Sequence, residues 1–276
     1  MSATLIELRN VYKIFGRDSA SLRAAHDAAQ RGSSRQDILE STHCTVAVRD
    51  VSLQIQEGEI FVIMGLSGSG KSTLVRHFNR LIEPTSGQLL FRGKDILKLS
   101  TAEMRNVRRH NIGMVFQSFA LLPHKTVMEN IVFGRLLRGD SKAASIADAE
   151  KWLQGRIGLR GYADKFPDEL SGGMRQRVGL ARALVSDPDI LLMDEAFSAL
   201  DPLIRSDLQD LLLEMQTELR KTVIFITHDI DEAMKLGSRI AIMKDGEVVQ
   251  IGTPQQIREN PANDYVRRFF QKGIAH

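Results

Sequence analysis

A glycine-rich loop between a predicted strand and a predicted helix constrains this chain more than any other feature. The loop spans residues 65–73 with the sequence GLSGSGKST, which fits the pattern G-x-x-x-x-G-K-[ST]. The apolar run 60–64 before it is typical of a strand buried on both faces, and apolar residues from Leu74 to Ile82 recur at helical spacing. Glycines let backbone N–H groups surround phosphate oxygens at the positive end of the helix dipole. We name residues 65–73 the phosphate loop and expect it to bind a nucleoside triphosphate.

Two pairs of polar residues strengthen this interpretation. Lys71 offers a point charge for the β- and γ-phosphates, and the hydroxyl of Ser72 suits Mg²⁺. A second apolar run, residues 190–193, is followed at once by Asp194 and Glu195. Acids at the carboxyl end of a buried strand face the ligand crevice of an open α/β sheet. There Asp194 suits a role in holding Mg²⁺, and Glu195 suits the activation of an attacking water.

Predicted strands and helices alternate along most of the chain, which favours a largely parallel sheet wrapped by helices. Besides the run before the phosphate loop, the predicted strands are residues 4–8, 51–55, 112–116, 190–193, 223–226 and 240–243. A long amphipathic helix is expected to begin at Pro202 with Asp201 as its N-cap, and Asp245-Gly246 predicts a hairpin turn. Residues 118–185 are mostly helical in pattern, so we expect them to form an inserted helical subdomain.

One segment, residues 17–45, interrupts this alternation. It is rich in Ser, Ala, Arg and Gln and poor in large apolar side chains. The pattern is compatible with a surface helix, a partner-docking element or a mobile loop. A solvated insertion without chemistry is the simplest interpretation, because loops tolerate insertions well.

Composition and charge exclude few classes of function. The formal net charge is +3 over 276 residues, with both signs interspersed, and such a weak excess does not require a nucleic-acid partner. The single cysteine, Cys44, excludes an intrachain disulfide. No run approaches the roughly 18 apolar residues of a membrane span, and the N-terminus lacks the apolar core of a signal peptide. We therefore expect a cytosolic protein that reaches a membrane only through a partner.

Further motifs distinguish the chain from other nucleotide-binding proteins. The run 170–174, LSGGM, opens a predicted helix, and Gln117 follows an apolar strand. The run 198–201, SALD, closely follows Glu195, and His228 ends another strand. In this order the motifs resemble the ATPase domain of the ABC superfamily, and the resemblance covers nearly the whole chain. We name residues 170–174 the signature and residues 198–201 the D-loop.

The resemblance implies a fold and a set of residue roles. The implied fold class is α/β, a P-loop NTPase with a mainly parallel core sheet, an antiparallel β portion and an inserted helical subdomain. Phe15 is implied to stack on adenine. The other residues implied to bind the nucleotide are Gly65, Ser67, Gly68, Ser69, Gly70, Lys71, Ser72, Thr73, Ser171, Gly172, Gly173 and Asp201. The implied Mg²⁺ ligands are Ser72, Gln117 and Asp194. The implied catalytic residues are Glu195, His228, Lys71 and Gln117.

One branch of the superfamily is more similar than the rest. The runs 61–72, 114–124, 167–184 and 189–205 resemble the ATPase of glycine betaine/proline-type uptake systems. Met174 departs from the usual Gln of the superfamily but agrees with this branch. The resemblance implies ATP-driven import of a small quaternary amine or related osmolyte: glycine betaine, choline, proline, carnitine or trimethylamine N-oxide.

The same resemblance implies partners and a place in the cell. The ATPase is expected to form a homodimer, to bind integral-membrane permease subunits and to depend indirectly on a substrate-binding protein. It would lie peripherally on the cytoplasmic face of the inner membrane and use ATP and Mg²⁺. We expect residues 1–276 to form a single ATPase domain that includes the 17–45 segment and the 118–185 subdomain. We expect no C-terminal regulatory domain, although many members of the branch continue into CBS modules.

Two other functions stay open at this point. One is a soluble ABC ATPase that acts on nucleic acid or ribosomes, although such proteins usually carry two ATPase units or a long coiled-coil insertion. The other is a P-loop kinase with a small-molecule acceptor, against which the signature, the D-loop and His228 all count. No nucleic-acid partner is expected.

Overall fold

The computed structural model describes residues 3–272, which fall into two compact units. The first unit comprises Met1–Ser100 and Ile226–His276, of which residues 3–100 and 226–272 are described. The second unit comprises Thr101–Phe225. The predicted domain limits at residues 1 and 276 lie outside the described residues.

The described residues form strands and helices in alternation. In chain order the strands are β1 (Thr4–Phe15), β2 (Thr45–Gln56), β3 (Ile60–Met64), β4 (Ser86–Phe91), β5 (Lys94–Asp95), β6 (Ile112–Phe116), β7 (Ile190–Asp194), β8 (Thr222–Thr227), β9 (Arg239–Lys244) and β10 (Glu247–Gly252). The α-helices are α1 (Ser19–Gln30), α2 (Arg35–Thr42), α3 (Lys71–Phe78), α4 (Thr101–His110), α5 (Val127–Arg138), α6 (Lys142–Lys151), α7 (Gly172–Leu184), α8 (Pro202–Leu219), α9 (Ile230–Leu236), α10 (Pro254–Glu259) and α11 (Asp264–Lys272).

The first unit contains an antiparallel sheet in the order β2-β1-β4-β5. It also contains β3, which pairs in parallel with β9, and β10, which pairs with β9 as a hairpin closed by Asp245-Gly246. Strand β3 is almost completely buried, with every residue at most 2% exposed. The predicted central strand and the predicted hairpin turn are both confirmed.

Strands β1 and β2 are longer than the sequence pattern predicts. Asn10 and Asp50 both adopt left-handed backbone conformations, with φ of 47° each, and the β1–β2 register shifts between Leu8 and Val11. Nδ2 of Asn10 donates to Oδ1 of Asp50 at 2.9 Å across the two strands. Because such a bulge displaces the alternation of apolar residues, the predicted strand at residues 4–8 stops too early.

The helix after the phosphate loop is shorter than predicted. Its apolar spacing suggested a helix through Ile82, but α3 ends at Phe78 and Asn79 is its C-cap. Arg80 then adopts a left-handed conformation, with φ of 50°, and Nη1 of Arg80 donates to the carbonyl oxygens of Ile96 and Leu99. The left-handed backbone of Arg80 is incompatible with a continued right-handed helix, so α3 ends before it.

The inserted segment folds into two helices, α1 and α2, which we name the inserted hairpin. Small or apolar side chains on its inner face are buried with those of β1 and β2. This cluster consists of Tyr12, Ile14, Ala25, Ala29, Ile38, Cys44 and Val46. Asp18 and Ser34 cap the two helices through side-chain oxygens that accept backbone N–H groups. The segment is therefore helical and packed, and a partner-docking role stays a prediction.

The second unit combines three strands with the helices of the predicted helical subdomain. Of β8, residues 222–225 lie in this unit; the strand order is β8-β7-β6, and β6 runs parallel to β7. Thr126 and Glu129 form a capping box at the start of α5, and Asp201 caps α8 as predicted. The apolar residues buried between the helices are Val127, Ile131, Val132, Ala149, Leu153, Ile157, Leu159, Leu170, Val178, Ala181 and Val185. Parallel and antiparallel pairing together with this helical core confirm the predicted fold class.

Candidate functional site

The phosphate loop follows β3 directly, and two of its glycines touch neighbouring backbone. A Cβ atom on Gly65 would lie 2.3 Å from the carbonyl oxygen of Met243. A Cβ on Gly70 would lie 2.2 Å from the carbonyl oxygen of Ala47, and φ at Gly70 is +101°. Any side chain at these positions would collide with backbone, so the tight loop requires glycine at both.

The phosphate loop leads into the N-terminus of α3. Gly70 is the N-cap and supplies no side-chain hydrogen bond to the first turn. Lys71 is 5% exposed, and its Nζ atom donates to the carbonyl oxygens of Gly65 and Leu66 at 2.9 and 3.1 Å. A helix N-terminus with backbone N–H groups and an ammonium group within the loop is suited to bind an anion.

Two other predicted residues lie in the first unit. Phe15 ends β1, pairs with Thr45 of β2 and is 43% exposed. Nζ of Lys13 lies 4.9 Å from the centroid of the Phe15 ring. An exposed aromatic ring is suited to stack on a base. His228 is exposed and follows the last residue of β8.

In the second unit, the acidic pair ends a buried strand. Residues 190–193 of β7 are at most 1% exposed, and Asp194 is 8% exposed. Glu195 is half-buried, and its φ of 48° is in the left-handed region. Strand geometry therefore stops immediately after Asp194, one residue later than in the predicted strand 190–193.

A hydrogen-bond network in the second unit joins three motifs that are distant in sequence. Nε2 of Gln117 donates to Oγ of Ser198 at 3.0 Å. The Ser198 hydroxyl donates in turn to the carbonyl oxygen of Glu195 at 2.9 Å. The predicted site residues Gln117 and Glu195 are thus connected through the first residue of the D-loop.

The signature begins α7. Oγ of Ser171 accepts a hydrogen bond from the backbone N–H of Met174, as an N-cap residue does. A Cβ atom on Gly173 would lie 2.5 Å from Cγ2 of Ile204 in α8, so this glycine allows close approach of the two helices. Oδ1 of Asp201 accepts from the N–H of Ile204 at 3.1 Å.

The segment after Gln117 has an unusual backbone. Phe119 and Ala120 adopt left-handed conformations, with φ of 61° and 47°. Arg182 of α7 donates to both of their carbonyl oxygens, at 3.1 Å to Phe119 and 2.6 Å to Ala120. The Arg175 guanidinium lies 5.2 Å from the Phe119 ring centroid. Burial lowers the pKa of the Arg182 guanidinium.

A buried amide holds the next part of the same segment. Asn130 is fully buried in α5. Its Nδ2 atom donates to the carbonyl oxygens of Leu122, Lys125 and Thr126, and its Oδ1 atom accepts from the N–H of Leu122. One side chain therefore fixes the loop through four hydrogen bonds.

Sequence reasoning did not single out Ser198, Arg182 or Asn130 as site-supporting residues. Ser198 stood within a recognised motif, but its link to Gln117 joins residues 81 positions apart. Arg182 and Asn130 lie on helices whose apolar spacing predicts which face is buried but not which backbone groups their side chains contact. No signal in the sequence reveals these contacts.

The residues predicted to bind Mg²⁺ offer suitable donors. Ser72 has a hydroxyl, Gln117 an amide oxygen and Asp194 a carboxylate, and Mg²⁺ prefers oxygen ligands. Within residues 3–272, no group of three His, Cys, Asp or Glu side chains is placed to hold a metal ion. None of the helices in that range is long and apolar enough to cross a membrane.

A family model described as ABC transporter matches residues 48–198. The matched range includes the phosphate loop, Gln117, the signature and the acidic pair, and it covers more than half of the 276 residues. The chain belongs to the ABC transporter family. This confirms the resemblance that the ordered motifs indicate.

Members of this family with a named transport role are similar over almost the whole chain. The glycine betaine/proline betaine transport system ATP-binding protein ProV of Escherichia coli is 59% identical over 98% of this chain. The glycine betaine transport ATP-binding protein OpuAA of Bacillus subtilis is 53% identical over 96%. The chain spans 66% and 63% of the length of these two relatives, respectively. The trimethylamine N-oxide transport system ATP-binding protein TmoW of Pelagibacter ubique is 49% identical over 99% of this chain and 78% of its own length.

Solved structures of ABC family members have the same fold. A dimeric structure of the ATP-binding cassette MJ0796 bound to ADP and Pi is 33% identical, with a TM-score of 0.75, and covers 90% of this chain and 98% of that one. The structure of cbiO1 from Clostridium perfringens, part of the ABC transporter complex cbiONQ, is 28% identical with a TM-score of 0.75 and covers 94% of this chain and 92% of that one.

Proposed function

We propose that this chain is the ATP-binding and ATP-hydrolysing subunit of an ABC importer for a small quaternary amine or related osmolyte. The observation that carries the proposal is 59% identity to a glycine betaine/proline betaine transport ATP-binding protein over 98% of the chain. Relatives named for glycine betaine, carnitine and trimethylamine N-oxide transport support the same class of cargo. The cargo is therefore a compact cationic or zwitterionic amine.

Binding of ATP is assigned first to the phosphate loop. Backbone N–H groups at the start of α3 and the Lys71 ammonium neutralise the β- and γ-phosphates. The geometry of Gly65 and Gly70 supports this role because both glycines let the loop close tightly. The exposed ring of Phe15 stacks on the adenine base.

Hydrolysis is assigned to Glu195, His228 and Gln117. Glu195 orients the attacking water or accepts its proton, and His228 contacts the γ-phosphate. Gln117 is held by Ser198, which supports a role that needs a fixed amide. Ser72, Gln117 and Asp194 would hold Mg²⁺, which would supply positive charge to the phosphates.

The catalytic unit is proposed to be a dimer of two such chains. Ser171 and Gly173 of one copy would approach the γ-phosphate held by the other copy, with a hydroxyl group and a helix N-terminus. The N-cap geometry of Ser171 supports this, since α7 begins there. The similarity to the dimeric MJ0796 cassette supports it as well.

The partner at the membrane is proposed to be a multi-span permease on whose cytoplasmic side this chain sits. We assign the contact to residues 119–124, which follow Gln117. Arg182 and Asn130 hold their backbone from within the second unit, so the segment is able to transmit a movement rather than absorb it. A substrate-binding protein would act through the permease.

The proposal is tested by affinity purification of the tagged chain from gently solubilised native membranes, followed by mass spectrometry. Recovery of a multi-span permease together with a substrate-binding protein supports it. The binding protein's pocket then identifies the cargo, and an aromatic cage indicates a quaternary amine. Recovery of DNA or ribosomes without a permease overturns the transport function and leaves the nucleotide chemistry.

A further inference from the structure

We propose that Arg35, in the inserted hairpin, is a positioning residue for the phosphate loop and thereby tunes the affinity for ATP. This inference rests on the proposed function, because it adds a residue to the same nucleotide site. It gives a role to a segment that the sequence motifs leave without one.

The contact itself is direct. Nη1 of Arg35 donates to the carbonyl oxygen of Gly68, in the middle of the phosphate loop, at 3.2 Å. The same Nη1 atom lies 3.8 Å from Oδ1 of Asp245, in the β9–β10 turn. The Arg35 side chain is only 26% exposed, so its guanidinium is held between the loop and that turn.

Gly68 is not packed against neighbouring backbone as Gly65 and Gly70 are. Its φ of +77° is left-handed, and an added Cβ would find nothing within 4 Å. The carbonyl of Gly68 and the N–H of Ser69 belong to one trans peptide group and therefore point in opposite directions. That N–H donates to the carbonyl oxygen of Leu66 at 3.2 Å and closes the loop. A donor on the Gly68 carbonyl thus fixes the orientation of the whole peptide.

The inserted hairpin reaches the same loop by a second route. Arg49 of β2 donates to the carbonyl oxygens of Ala29 and Ser33, which belong to α1 and the residues just after it. The backbone N–H of Arg49 donates to the carbonyl oxygen of Gly246 at 2.8 Å, and the N–H of Gly246 donates to the carbonyl oxygen of Ser69 at 3.0 Å. Two consecutive peptides of the loop are therefore connected to the hairpin.

Arg35 is also well placed to act as a fixed donor. It is the first residue of α2, immediately after the N-cap Ser34, whose Oγ accepts from the N–H of Asp37 at 3.1 Å. Ile38 is fully buried one turn later. Because the helix is capped and anchored, the starting point of the Arg35 side chain is restrained.

The test compares Arg35→Ala and Arg35→Lys with Arg23→Ala, which removes an exposed arginine from the same hairpin. The purified full chain is assayed for the Kd of ATP by displacement of a fluorescent ATP analogue, for KM and kcat of hydrolysis, and for Tm. We expect Arg35→Ala to raise Kd and KM about 3- to 10-fold, the size that loss of one ordinary hydrogen bond gives, while kcat and Tm change little. Arg35→Lys, which keeps a charged donor, recovers part of the affinity, and Arg23→Ala binds like the wild type.

Two results would overturn the inference. One is a Kd for Arg35→Ala within twofold of the wild-type value, roughly the limit below which no hydrogen bond need be invoked. The other is an equal loss in Arg23→Ala, because the effect would then be general attraction between positive charge and the nucleotide. If the alanine variant melts early, Arg35→Gln, which keeps a neutral donor, decides by the same comparison. A wild-type chain that binds no ATP would instead refute the proposed function.

Discussion

Gln117 and Ser198 are joined by a 3.0 Å hydrogen bond from Nε2 to Oγ, and Ser198 also donates to the backbone of Glu195. The amide of Gln117 is therefore connected through Ser198 to Glu195, the residue that follows β7.

Ser198→Ala removes this connection, and we expect kcat to fall about 3- to 10-fold with little change in the Kd of ATP. Steady-state hydrolysis and ATP titration measure the two quantities. Ser198→Thr keeps a hydroxyl and should recover most of the rate; an unchanged kcat in Ser198→Ala would show that the connection has no role.

Glu195→Gln keeps the size of the side chain and removes its basicity. If Glu195 is the base, hydrolysis slows by about 10²- to 10⁴-fold while ATP binding persists. The trapped ATP state should also have twice the 30.9 kDa mass of one chain in light scattering at saturating ATP. The control is Glu214→Gln on the exposed side of α8, which should hydrolyse ATP normally. Near-normal turnover in Glu195→Gln removes the residue from this role, and a monomer with saturating ATP contradicts the dimer.

Arg182 supports two left-handed residues at once. Arg182→Ala leaves the carbonyl oxygens of Phe119 and Ala120 without this donor, so we expect the free energy of unfolding to fall by about 1–3 kcal/mol. Urea unfolding measures this change. Limited proteolysis should also cut faster within residues 117–124, because the local backbone opens more often. Arg105→Ala, an exposed arginine on α4, should leave both measurements unchanged. Equal stability of Arg182→Ala and the wild type would contradict the assigned support.

His77 makes stability depend on pH. It is fully buried in α3, and burial lowers its pKa from 6.5 to about 4. Its Nδ1 atom lies 2.7 Å from the carbonyl oxygen of Ile82, whereas Nε2 has no hydrogen-bond partner among the described residues. Protonation would therefore add an unpaired buried N–H.

The direction in which stability changes with pH follows from the number of protons that the folded and unfolded chains bind. Between the lowered folded pKa of about 4 and the unfolded value of 6.5, the unfolded chain binds more protons. Stability is consequently full above pH 6.5 and falls as the pH drops toward 4. From about pH 7.5 to about pH 5, His77 should account for a loss of about 2 kcal/mol. Urea unfolding of the wild type and His77→Gln at both pH values measures it, and parallel losses in the two proteins would refute the assignment.

Local features of the fold were predictable because short-range physics determines them. Ile60–Met64 and Ile112–Phe116 are strands with the predicted bounds, since each is an apolar run that ends at a polar or glycine residue. The caps at Thr126 and Asp201 depend on side chains within three residues of the helix start. The phosphate loop, whose residues are contiguous, was likewise predictable from the spacing of its glycines.

Features that depend on distant residues were not predictable. The β1 bulge needs Asp50 opposite Asn10, and a pattern based on alternation cannot include it. The inserted hairpin lacks a strong apolar stripe because alanines, which occupy little space, pack its inner face. Arg35 meets Gly68 across 33 positions, and no motif connects them. Roles of the individual site residues, including His228 and Phe15, stay predictions until they are tested.

Because Cys44 is buried, thiol labelling of the native chain reports on opening of the inserted hairpin. It is the only cysteine, it is 0% exposed, and its sulfur would lie 2.6 Å from a Cβ atom placed on Gly16. A thiol reagent has access to it only after the inserted hairpin separates from β1 and β2. The rate of labelling in the unmodified protein therefore measures how often the hairpin opens. A change in that rate when ATP is added would show that opening of the hairpin is coupled to the catalytic cycle.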